Sequence, residues 1–317
     1  MLDEASPASE YVDLPIPTCG VRMIAGMEPS PSGTAQPKVN QDRALAMYPF
    51  SFAGTDDDYS CGLFGVFDGH GSGGHKVSDY VVKSVGDLLQ AWAKQHGSDP
   101  AKCLEETYND VQFALFHHLP QISMLSGTTG LTCLIQNRRM YIANAGDSRA
   151  VLCRLGASGK LMPIDLTIDQ KPDDAKERER IESMGGKVIV DPVYPARVIY
   201  HNYGLGMSRS IGDGLATKHG VICTPQVTTY DTDDMDACLV LASDGVWEVL
   251  SSERVARLVD RSESTDAQDI ANTIVNAAID EWRKEEESYR DDISIVVLMI
   301  HDGFPLPSAA SSQMVCA

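Results

Sequence analysis

The sequence predicts an α+β fold in which β-sheets pack against each other and helices cover them. Two observations carry that reading. Short runs rich in Val, Ile, Leu and Phe, bounded by Gly and Asp, recur along the chain as buried strands do. Stretches with helical spacing of apolar residues fall mainly into an early pair and a late pair, which suits layers of helix outside layers of sheet.

Residues 1–20 combine Pro, Ser and acidic side chains and are expected to form a tail. EPSPSGTAQP at 28–37 is rich in turn formers, and KVNQDRAL at 38–45 sets Asp42 before a strand. GTDDDYS at 54–60 reads as a loop before the strand GLFGVF, which ends at Asp68. HKVSDYVVKSVGDLLQAWAKQ (75–95) and AKCLEETYNDVQFALFHHL (101–119) follow as helices. TGLTCLIQ, MYIANA and AVLCRL, separated by QNRR and AGDS, predict an antiparallel meander with Asp147 in a tight hairpin. DDAKERERIESMGG (173–186) is a charged helix closed by glycines. A mixed region runs to about 225, then strands QVTTYD and ACLVLAS lead to Asp244. Helices SERVARLVDRS and DAQDIANTIVNAAIDEWRKEEE precede a last strand, ISIVVLMI, just after Asp291. Residues 303–317 are expected to form a second tail around a single domain spanning 21–302.

Composition narrows the function. The 317 residues are 43% hydrophobic and 22% charged, a globular balance. No run approaches the roughly 20 apolar residues of a membrane span, no signal segment opens the sequence, and Leu2 excludes a myristoylation motif. The expectation is a cytoplasmic or nuclear protein that engages no membrane. Eight cysteines form no CxxC pair and several lie in apolar strands, so reduced core thiols are expected, not disulfides or a zinc site. The net charge of −19 is the reverse of a nucleic-acid footprint.

The chemistry lies at the strand ends. Asp68, Asp244 and Asp291 each adjoin a buried run, a rigid place for a side chain. Alone, each could be a capped turn, and DGHG at 68–71 is ordinary turn chemistry. Together they could converge, and converging carboxylates require a cation among them. No GxxxxGK[ST] loop is present. DTDDMDACLVLA (231–242) lacks the sixth-position Gly and twelfth-position Glu of an EF-hand.

VNQD, FGVFDGHG, SGTTGLTCLI, ANAGDSRAV, LTIDQKP, ERERIESMGGKV, GLGMSRSIGD, LASDGVWEVL and RDDISIVVL occur in an order that resembles the metal-dependent protein phosphatases, protein phosphatase 2C, over about residues 38–300. The resemblance implies two stacked antiparallel sheets flanked on both outer faces by helix pairs, with a metal cleft at one edge. It implies a protein serine/threonine phosphatase, acting on phosphorylated proteins through Mg²⁺ or Mn²⁺: two ions, with a third, weaker one possible. Asp68 would bridge the two ions and Gly69 would give its carbonyl to one. Asp244 and Asp291 would complete the other, Asp42 would act through water, and Asp147 with Asp244 would hold the third. Water between the ions would attack phosphorus directly, and His70 would protonate the leaving alkoxide.

Some positions depart from the family pattern. Gln41 stands where Glu is common, which implies weaker metal binding, and Asp292 stands where Asn is common. The usual phosphate-gripping base is replaced by Pro37, so Lys38 or Arg22 would take that role. Residues 167–205 match the family's variable flap. Two rival readings are a pseudophosphatase scaffold and a two-metal nuclease; retention of Asp68, Asp244 and Asp291 opposes the first and the acidic charge opposes the second. A monomer is expected.

Overall fold

Strands buried on both faces build two sheets with three apolar layers. The computed structural model describes residues 19–52, 61–97, 99–300 and 313–316. In chain order its strands and helices begin with β1 (Cys19–Ile24), β2 (Met27–Pro29), β3 (Ala35–Pro37), β4 (Arg43–Tyr48), β5 (Cys61–Phe67), β6 (Gly69–His70), α1 (Gly74–His96) and α2 (Pro100–His118). The middle of the chain contributes β7 (Gly127–Thr128), β8 (Gly130–Gln136), β9 (Arg139–Ala145), β10 (Arg149–Leu155), β11 (Leu161–Asp165), α3 (Ala175–Ser183), β12 (Lys187–Ile189), β13 (Arg197–Tyr200), β14 (Tyr203–Leu205), β15 (Ile211–Gly212) and α4 (Gly214–Thr217). The last part adds β16 (Gln226–Asp231), β17 (Asp236–Ala242), α5 (Asp244–Trp247), α6 (Ser252–Asp260), α7 (Ala267–Glu285), β18 (Ile293–Met299) and β19 (Gln313–Cys316).

One sheet has the order β1-β18-β17-β10-β11 and the other β16-β9-β8-β5-β4-β19, antiparallel throughout. Period-two alternation sends neighbouring residues to opposite faces. On β17, Leu239 and Leu241 face the inner layer with Val66, Leu131 and Val296, while Val240 and Ala242 face the α5–α7 side. On β4, Ala44 and Ala46 face the inner layer, while Leu45 packs with Val77, Val81 and Leu104 of α1 and α2. Each Val or Leu side chain among these, when fully buried, contributes about 1.5–3 kcal/mol. The result is the expected α+β sandwich of two sheets between helix layers.

Local chemistry fixes the helix ends. Asp99 caps α2 before a proline at its first turn, Ser251 caps α6, and Asp174 and Asp266 each accept two backbone N–H groups at α3 and α7. Trp92 on α1 donates to Asp110 on α2, which ties that pair together.

The structure corrects the expected meander. β8 and β9 pair, but β9 and β10 do not: β9 lies beside β16, and β10 lies beside β17 and β11 in the other sheet. The AGDS turn is therefore a crossover between sheets. The tail boundaries differ too. β1 starts at Cys19 within the stretch assigned to the N-terminal tail, and β19 lies within the C-terminal one, paired with β4. The rest of both tails and the whole loop expected at 54–60 lie outside the described residues. The seven cysteines from Cys19 to Cys238 are free thiols in the interior. Among the described residues, no helix is long and apolar enough to cross a membrane.

Candidate metal centre

The acidic residues picked out by the sequence sit where strands of both sheets end. Asp42 precedes β4, Asp68 follows β5, Asp147 lies in the crossover between β9 and β10, Asp244 opens α5 after β17, and Asp291 lies just before β18. Backbone bonds hold the Asp68 turn: its N–H donates to Thr129 Oγ1 and its carbonyl accepts from Thr129 N. Gly69 is required there, because a Cβ would come within 2.4 Å of the Gln41 carbonyl oxygen and 2.7 Å of that of Gly74. Trp247 Nε1 donates to Ala242 O and Trp282 Nε1 to Gly245 O, which brace the turn on either side of Asp244.

The two sheets meet chemically at Asp42. This residue is fully buried, and its Oδ2 accepts from Ser243 Oγ at 2.8 Å, across from one sheet to the other. Ser243 in turn accepts from Ser294 N, so a short chain of bonds links the start of β4, the end of β17 and the start of β18. The Asp147 turn is set by Gly146, at φ +122° in the left-handed region, and by Gln170, whose side chain accepts from Gly146 N.

These carboxylates sense one another. Asp68 lies well above the usual carboxylate range, through burial first and then the charges of Asp42, Asp244 and Asp291. Asp244 is raised likewise, by burial and then by Asp147, Asp291 and the exposed Glu248. Burial and the charges of Asp292 and Asp291 push Asp42 up as well. Asp42 Oδ1, Asp147 Oδ1 and Asp244 Oδ1 are buried with no hydrogen-bond donor. Buried carboxylate oxygens left unsatisfied beside like charges are a costly arrangement that a hard cation relieves. All are oxygen donors, so the set suits Mg²⁺ or Mn²⁺. Among the described residues, no three acidic, histidine or cysteine side chains stand in the close mutual geometry of a ligand shell. Two lysine ammonium groups balance part of the charge instead: Lys38 Nζ lies 2.5 Å from Asp291 Oδ1, and Lys171 Nζ lies 2.5 Å from Asp147 Oδ2.

His70 is fixed by a partner that the sequence reading did not single out. Its Nε2 lies 2.6 Å from Asp213 Oδ2, and Asp213, 1% exposed, also accepts from Ser210 Oγ. Burial works against the imidazolium, but the charge of Asp213 outweighs it and raises the His70 pKa. The other ring nitrogen, Nδ1, is buried without a partner. Asp213 lies in GLGMSRSIGD at φ +49°, and a non-glycine residue held in that region of backbone space is a mark of local constraint.

One expectation changes. Arg22 does not reach the carboxylates: it lies opposite Ile295 on the face of β1 turned to α7, where its guanidinium donates to Asn272 O and Asn276 Oδ1. The pleat of β1 decides this, since the neighbouring residues point the other way. The side-chain amide of Gln41 donates to Gly71 O. Lys38 is brought to the cluster, on Asp291. Asp292 is structural as well as charged, because it accepts from Gly26 N and Gln41 N.

The protein phosphatase 2C family profile matches residues 35–286. A probable protein phosphatase 2C 73 of Arabidopsis thaliana is 35% identical over 290 residues, covering 83% of this chain and 76% of that protein. A probable protein phosphatase 2C 72 from the same plant is 34% identical, with 83% and 82% covered. The chain belongs to the protein phosphatase 2C family. It is accordingly a protein serine/threonine phosphatase, a hydrolase of a family whose members depend on metal. The fold agrees: the crystal structure of a serine-threonine phosphatase 2C from Toxoplasma gondii superposes with a TM-score of 0.73 at 19% identity, covering 90% of this chain and 95% of the other. Within this phosphatase 2C fold the carboxylates lie at the seam of the two sheets, and His70 is held beside them by Asp213.

Proposed function

We propose that the seam of carboxylates is the catalytic centre, and that it hydrolyses phosphoserine and phosphothreonine monoesters of proteins without a covalent phosphoenzyme. The observation that carries this reading is the set of buried, donorless oxygens of Asp42, Asp147 and Asp244 beside Asp68, whose proton affinity is strongly raised. Asp68, the Gly69 carbonyl, Asp244 and Asp291 would hold two Mg²⁺ or Mn²⁺ ions. Asp42 would act as an outer contact, and Asp147 with Asp244 would hold a weaker third. Bound ions would supply charge neutralisation and an acidified water at neutral pH.

The chain's own residues do the rest. Asp213 holds the His70 ring through Nε2, so Nδ1, on the side of the Asp68 backbone, is the candidate to carry a proton to the leaving alkoxide. A serine or threonine alkoxide leaves poorly, and a positioned acid contributes roughly 10²–10⁴-fold. Lys38, the basic residue nearest the position usually held by the phosphate-gripping base, is our candidate for steadying the phosphate. Residues 167–205 hold α3 and the small sheet β12-β13-β14, and we assign them as the flap.

Asp68→Asn tests the reading. The variant should lose turnover of both phosphopeptide and aryl phosphate, while its melting temperature holds or rises because one like charge has gone from the cluster. EDTA should silence the wild type, and added Mn²⁺ should restore it. Near-normal turnover by Asp68→Asn would refute the assignment.

A further inference from the structure

Around the corner from the carboxylates the surface carries a basic hollow of about 440 Å³, lined by Arg43, His75, Lys76, Asp79, Tyr80 and Lys83 among others. Strand alternation creates it. Asp42 points into the seam between the sheets, and Arg43, the next residue, points to the α1 side. Arg43 Nη1 donates to the carbonyls of Asn40 and Asp42, and its Nε lies 3.6 Å from Asp79 Oδ1. Lys83 pairs with the same carboxylate at 2.7 Å. Lys76 is exposed and has no ion pair among the described residues. Three cations therefore face one carboxylate, Asp79. His75 Nδ1 is buried with no hydrogen-bond partner.

This excess of positive charge lies on a molecule of formal charge −19. Charges beyond about 8 Å are largely screened at physiological salt, so a local basic wall governs what binds beside it. The hollow shares its chain segments with the centre: Arg43 follows Asp42, and His75 follows Gly74, which packs on Gly69. An extended peptide advances about 3.3 Å per residue, so a substrate seated at the centre can lay a flanking residue in the hollow.

We propose that this hollow is a specificity subsite that takes an acidic side chain of the phosphoprotein, several residues from the scissile phosphoester. The proposal rests on the phosphatase reading above. Its test uses the metal-loaded full chain with a neutral phosphothreonine peptide and a set in which one Glu is moved position by position along it. At one register kcat/KM should exceed that of the neutral peptide by about five-fold, the scale of a few partly exposed ion pairs. Lys76→Glu/Lys83→Glu should abolish or invert that preference and leave aryl phosphate turnover unchanged. High salt should abolish it in the wild type. A second arm measures fluorescence anisotropy of the whole Glu-scanned set and the neutral peptide with Ala in place of phosphothreonine, which no phosphatase can turn over; one register should bind more tightly than the neutral peptide, and the double variant should lose that difference. If no phosphopeptide is hydrolysed, the phosphatase reading falls and this binding arm still decides the subsite. Equal rates at every Glu position, or a preference and an affinity that survive in the double variant, would overturn the proposal.

Discussion

Glu177 joins α3 to the segment that carries Asp213, and its removal should be felt at both stability and acid tolerance. It is 6% exposed. Its Oε1 accepts from Arg209 Nη2 at 2.6 Å, and its Oε2 accepts from Arg180 Nη1 at 2.8 Å and Ser208 Oγ at 2.7 Å. The arginines reach on to the carbonyls of Ser208, Gly220 and Thr224. Burial would raise the carboxyl, but these bonds outweigh it and lower its pKa from 4.5 to about 2. A shift of that size corresponds to at most about 3.4 kcal/mol. The two arginines keep 18% and 21% of their side chains in solvent, and screening there reduces the figure to about 2–3 kcal/mol. Because the folded pKa is the lower one, this stabilisation is complete above about pH 5 and is lost as pH falls toward 2. Urea denaturation of wild type and Glu177→Gln should differ by about 2–3 kcal/mol at neutral pH. Near pH 3 the difference should fall by more than half. A difference below about 0.5 kcal/mol at neutral pH, or one that does not change with pH, would refute the account.

Two other substitutions probe the centre and its borders. His70→Ala should lower phosphopeptide turnover by about 10²-fold or more and aryl phosphate turnover far less, since an aryl oxide leaves without help; equal losses in the leaving-group comparison would remove His70 from the acid role. Arg22→Ala should leave KM for phosphopeptides unchanged and cost about 0.5–1.5 kcal/mol through its lost bonds to α7, read by denaturation; a raised KM would return Arg22 to the substrate site.

What could be read in the sequence divides along a physical line. The principal helices follow from local periodicity, and α1, α2, α3, α6 and α7 all fall where that periodicity places them, to within a few residues at each end. The strands GLFGVF, ACLVLAS and ISIVVLMI are equally local signals, and the Asp at each end comes with them. Partnership between strands is not local. AGDS looks like a hairpin because the residues on either side of it are strands. Whether β10 folds back on β9 or crosses to β17 depends on the inner face, where Ala150 and Leu152 pack among Leu239, Leu241 and Leu298. The destination of a single side chain is harder still to read. Arg22 and Lys38 looked interchangeable as bases near the site; the pleat of β1 turns Arg22 to α7, while Lys38, just after β3, reaches Asp291. Asp213 was within reach, since it closes a quoted motif after a glycine at φ +100°. Its partnership with His70 spans 143 positions, and no spacing rule covers that.

The placement of the acids at a seam, and not within one sheet, has an energetic consequence. Asp42 and Asp68 belong to the ends of one sheet, Asp244 and Asp291 to the other, and Asp147 to the turn crossing between them. Their mutual repulsion therefore acts to part the sheets at that edge. It is opposed by the inner apolar layer of Val66, Leu131, Leu152, Leu239, Leu241 and Val296, and by the Ser243 link to Asp42 and Ser294. On the proposed reading, a cation bound among these carboxylates would remove the repulsion and add attraction across the same seam. Metal affinity and the packing of the two sheets are for that reason one coupled quantity. A ligand that binds only the folded form stabilises it by RT ln(1 + [L]/Kd), so Mg²⁺ or Mn²⁺ held at the proposed centre would raise the stability of the fold, and loosening the inner layer would weaken both together.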